Sequence, residues 1–179
     1  MKHDEEKYIA RQEVDKINEQ RRDRQLQALR DEERSKIAVA LNTSEDVAAE
    51  ALELGFDAAT SSVLPLIPLI QVAWVDGKLT ESEAQKVLEI AKARNVHAPE
   101  ALEFLDMMLA KRPSAVFFER TDRVISHIIA QDPSNESTSN ILELAKAVAE
   151  ASGGFFGLKD PVGKEEKALL TELADLFNL

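Results

Sequence analysis

The chain has 179 residues, 44% of them apolar but only 5% aromatic, so it can bury one compact core with room for an appendage. A net charge of −11 disfavours phosphate backbones as ligands, and the absence of cysteine removes disulfides, thiolate metal sites and cysteine nucleophiles. Alanine and leucine dominate and alternating β-branched runs are missing, which predicts an all-α fold.

Residues 1–36 form a segment apart. They hold ten Lys/Arg and ten Asp/Glu, leaving 12 basic and 23 acidic groups, the whole net charge, for the rest. With no Gly or Pro and few apolar side chains, the segment has high helix propensity and little power to form a core. Val14 and Ile17, then Leu26 and Leu29, give fragments of a stripe, but Arg21 and Arg24 stand where a heptad wants hydrophobes. The expectation is a solvated helix or partly disordered arm over residues 1–40, with a homodimer through it as one option. The charged start, Met1 to Glu6, carries no secretion signal, so a cytoplasmic location is expected.

The body, residues 41–179, should be a bundle of about seven helices. Asn42-Thr43-Ser44 offers N-caps for a helix carrying Val47, Ala51, Leu54 and Ala58. Ser61-Ser62 ends it and caps the next, with Pro65 and Pro68 in or near the first turn, running to a stop at Gly77. The apolar run Val63 to Ile70 spans eight residues, far short of the ~20 a membrane span needs. Peripheral membrane association stays open. Thr80 starts a helix with Ala84, Val87, Leu88 and Ala91 on one face, and Pro99 opens another with Leu102, Leu105, Met108 and Leu109. Pro113-Ser114 begins the helix of Phe117, Val124, Ile125, Ile128 and Ile129, closed by Asp132-Pro133. A polar loop follows, in which Asn135-Glu136-Ser137 matches a glycosylation triplet that is not expected to be used without a secretion signal. Ile141 to Ala151 and a last helix with Leu169, Leu170, Leu173, Ala174 and Phe177 complete the set.

Two helix corners resemble each other, about 83 residues apart. In the first, Gly77 supplies a left-handed stop and Thr80-Glu81-Ser82-Glu83 fits a capping box. These features need no function, but they leave Asp76 unexplained and Glu81 free to point outward. The second corner, Asp160 with Glu165 and Glu166, has Gly163 in place of the hydroxyl cap. A cation held here would take carboxylate, carbonyl and water ligands, which suits Ca²⁺, Mg²⁺ or Mn²⁺. An EF-hand is excluded, because counting from Asp76 the sixth residue is Glu81 and the twelfth Val87. No Glu-x-x-His, His-Glu-x-x-His or Gly-x-Ser-x-Gly pattern exists, so no catalytic apparatus is visible. Gly153, Gly154 and Gly157 with Phe155 and Phe156 lack the spacing of a phosphate loop. Trp74, one turn before the first corner, is expected to be a buried wedge between helices.

Ala73-Trp74-Val75-Asp76-Gly77, then Leu79-Thr80 and Glu83, resembles the signature of the tellurite-resistance TerB-like family: roughly Ala-Trp-Ala-Asp-Gly, an aliphatic, Ser/Thr, then Glu. Ser152 to Leu158 and Glu165 to Leu170 look like the same family's carboxy-terminal half, so the resemblance covers about residues 44–179. It implies a non-enzymatic, all-helical domain with acidic corners that bind divalent cations, acting through protein partners in a stress response. Carried over by position, Asp76 and Glu83 match the first motif and Glu166 the second; Glu81, Asp160 and Glu165 join as neighbours. Val75 and Gly163 depart from the pattern. The alternative is a structural interaction module whose corners are only caps.

Overall fold

The computed structural model describes residues 2–152 and 162–179, with side chains from residue 7 and excepting residue 152. The helices are α1 (Lys2–Leu41), α2 (Glu45–Glu53), α3 (Ile67–Ala73), α4 (Glu81–Ala93), α5 (Pro99–Ala110), α6 (Ala115–Gln131), α7 (Ile141–Ser152) and α8 (Lys164–Phe177), with a 3₁₀ turn at Ser61–Leu66. Among the described residues there is no strand, and the fold is all-α as expected.

The centre of the bundle is α3. Six of its seven residues are buried, Gln71 being the exception, and a helix apolar on almost every side belongs inside. It packs against α6, α7 and α8, while α4 also rests on α7. Pro68 stands in its first turn, where a missing N–H costs nothing, but Pro65 lies in the preceding 3₁₀ turn.

The expected first body helix is shorter than its apolar spacing suggests. Ser44 caps it, its hydroxyl accepting from the Val47 amide, but α2 ends at Glu53 and Ala58 lies beyond it. Gly55 turns left-handed at φ +92°, and the Phe56 amide reaches back to the Ala51 carbonyl. Asn42, Asn95 and Asn178 take the same left-handed role just beyond α1, α4 and α8. Asparagine tolerates that region better than other residues with a Cβ.

The arm is one continuous helix that enters the core only at its end. Residues 7–30 are exposed, whereas Ile37, Ala38 and Leu41 are buried. The core thus takes in two residues from the arm side of the expected boundary. Arg34 and Ser35 both hold the Glu45 carboxylate, at 2.8 and 2.7 Å, and Glu33 accepts from the Ala58 amide at 3.1 Å. The six large apolar side chains between Tyr8 and Leu29 are each more than half exposed. At 100° per residue Ile17 points half a turn away from Tyr8 and Leu26, so these apolar side chains do not share one face of the helix.

Asn135 is 1% exposed, and its amide donates to the carbonyls of Leu41 and Asn42 at 2.9 and 3.0 Å. The side chain closes the end of α1 from inside. That removes it as a glycosylation acceptor in the folded chain.

Candidate acidic corner site

The first corner is built by local hydrogen bonding. After α3 the chain turns through Trp74 to Asp76, and Gly77 takes φ +85° to reverse direction. The Lys78 amide donates to Asp76 Oδ1 at 2.9 Å, an Asx turn that gives this residue the structural role the caps had left open. Thr80 then caps α4 with both halves of the box present. Its hydroxyl accepts from the Glu83 amide at 3.2 Å, and Glu83 Oε2 accepts from the Thr80 amide at 2.8 Å.

The second corner keeps only the carboxylate half. Gly163 has no hydroxyl to offer, but its amide donates to Glu166 Oε2, three residues into α8. Both capping glutamates are buried, Glu83 at 4% exposure and Glu166 at 8%. Helices α3, α4 and α8 all pack against α7, and the two corners lie near enough for their charges to interact.

The electrostatics record that meeting. Burial raises the Glu166 carboxyl above its ordinary range despite the bond from Gly163, and the charges of Glu83 and Asp76 raise it further. Three of the six expected site residues are therefore electrostatic neighbours: Asp76, Glu83 and Glu166. Each is pinned through one oxygen by a main-chain N–H. The other oxygen of each makes no hydrogen bond among the described residues. Such donors fit a hard cation, with water completing the shell.

The remaining expectations fall differently. Glu81 is exposed and accepts from Gln85 one turn along its own helix, at 3.5 Å. Glu165 is exposed on α8. Neither is among the charges that act on Glu166. Asp160 and the glycine-phenylalanine connector lie outside the described residues. Among the described residues, no three His, Asp or Glu side chains lie close enough together to hold a metal ion as they stand.

The structure also shows a carboxylate that sequence reasoning passed over. Asp122 on α6 is 4% exposed, and burial pushes its carboxyl up to about 7. Gln71 on α3, with its amide nitrogen turned towards it, donates to Oδ2 at 2.8 Å and opposes that rise, while Glu172 on α8 adds to it. A sequence signal was present: Asp122 falls in the stripe of Phe118, Ile125 and Ile129, where an amphipathic helix should be apolar.

Comparison with protein-family models, curated proteins and solved structures returns no match.

Proposed function

We propose that this chain is a non-enzymatic helical domain that binds a divalent cation weakly where its two acidic corners meet. It acts through protein partners in a stress response of the kind the TerB-like resemblance implies. The observation that supports the reading is that the charges of Glu83 and Asp76, from the first corner, act on Glu166 in the second. Asp76, Glu83 and Glu166 would hold the ion; Ca²⁺, Mg²⁺ and Mn²⁺ suit an all-oxygen set. The long arm, exposed over residues 7–30, supplies a charged surface for a partner.

Calorimetric titration of the whole chain with Ca²⁺, Mg²⁺ and Mn²⁺ tests this directly. Asp76→Asn with Glu166→Gln keeps the turn and the cap acceptors but removes two charges. Equal binding by this variant and the unaltered chain would sink the proposal.

A second reading has its own observation. Each corner carboxylate already serves a main-chain N–H, so turn and cap account for all three residues without a ligand. In that case the domain is a structural interaction module, and its thermal midpoint is the same in chelator and in excess Mn²⁺.

A further inference from the structure

Beside Met108, whose carbonyl accepts from the Trp74 indole, an open cleft of about 500 Å³ lies between the last turn of α5 and the first of α6. Leu54, Phe104, Met107 and Phe117 wall it. Two of these walls rest on the core: fully buried Phe56 sits 5.3 Å from Phe104 and 6.2 Å from Phe117, ring centre to ring centre. The Met107 wall is adaptable, since Met107 is 56% exposed and thioether side chains repack readily.

The rim has the opposite sign to the body. Lys111 and Arg112 line the cleft, both exposed, and neither forms an ion pair with any described residue. The adjoining α6 begins with no acidic side chain in its first turn, so its positive end is not offset locally. Two unpaired cations beside an apolar hollow are out of place in a body where acidic groups outnumber basic ones almost two to one.

We propose that this cleft binds a small amphipathic carboxylate of the medium-chain fatty-acid type, its head on Lys111 and Arg112 and its chain over Met107, Phe104 and Phe117. The volume lies in the range of small-molecule sites, and an aliphatic acid of about ten carbons fills roughly half of it. Burying that chain supplies affinity, and the paired cations supply the preference for an anion. This site is separate from the acidic corners and does not depend on them.

The test is a nuclear magnetic resonance titration of the full chain with decanoate below its micelle concentration, and with decanol as the uncharged probe. Decanoate is expected to shift residues 104–117 and the Trp74 indole. Lys111→Glu with Arg112→Glu should weaken decanoate about tenfold or more, leave decanol unchanged, and keep the thermal midpoint, because both side chains are exposed. Met107→Gln should weaken both probes. Absence of decanoate binding, shifts centred elsewhere, or undiminished decanoate affinity in the double variant would each overturn the proposal. A site that prefers an acidic peptide to decanoate overturns it as well.

Discussion

The indole nitrogen of Trp74 donates to the main-chain carbonyl of Met108 at 3.0 Å, tying the acidic corner to the last turn of α5. The carbonyls of a helix's last turn have no partner within the helix, so this side chain satisfies from outside what α5 cannot. Trp74 is half-buried against the core rather than fully enclosed. It is a clasp more than a wedge.

Trp74→Phe keeps most of the packing and loses the bond. The expected cost is about 1–2 kcal/mol, the hydrogen bond plus some contact area. Urea denaturation followed by circular dichroism measures it; no change in midpoint would mean that the Met108 carbonyl finds water at no cost.

Asp122 makes stability depend on pH. Its carboxyl titrates at about 7 in the folded chain against an ordinary 3.8. As pH rises from about 4 to about 7 the unfolded chain releases this proton while the folded one keeps it. Stability attached to Asp122 is therefore complete at acid pH, falls through that window, and is flat above it. At about 1.4 kcal/mol per unit, the ceiling is on the order of 4 kcal/mol. Asp122→Asn should remove this part of the slope and gain stability relative to the parent at pH 8. Denaturant midpoints for both proteins across this pH range decide it.

The arm should be dispensable for folding. Removing residues 2–25 leaves the Arg34 and Ser35 bonds to Glu45, and buried Ile37 and Leu41, in place. The thermal midpoint is expected to move by less than about 2 °C, since residues 7–25 are all exposed. A drop of many degrees would show that this stretch stabilises the body.

Asn135→Ala should cost more than any surface change. It removes the amide donor from the Leu41 and Asn42 carbonyls, leaving Leu41 only the longer bond from the Ser137 hydroxyl, and breaks the turn in which Asn135 Oδ1 accepts from the Ser137 amide at 2.9 Å. About 1–3 kcal/mol is expected from the lost buried hydrogen bonds. Asn135→Asp should also fail, because a carboxylate cannot donate to carbonyls. Thermal unfolding of both variants checks this.

Much of the fold was legible in the one-dimensional pattern because its causes are local. Thr80 with Glu83 and Ser114 before α6 act within a few residues, so spacing alone placed those starts, whereas α3 ends at Ala73, four residues before the expected stop at Gly77. The apolar stripes of α4 through α8 likewise reported most of the inward positions, though Leu88 on α4 and Leu102 on α5 are exposed. Where a stripe ran past a glycine, as from Leu54 to Ala58, apolar spacing suggested more helix than the left-handed Gly55 allows.

What only the tertiary structure decided is how distant groups meet. The sequence by itself determined that Asp76, Glu83 and Glu166 sit at helix corners; the packing of α3, α4 and α8 on α7 makes them neighbours. Composition set the charge of the body, but the path of α5 into α6 sets Lys111 and Arg112 beside an apolar hollow. Burial of Asp122 and the reach of Asn135 to Leu41 follow the same rule. Capping and turn energies act over one helical turn, whereas desolvation and Coulomb terms depend on neighbours that only the folded chain brings together.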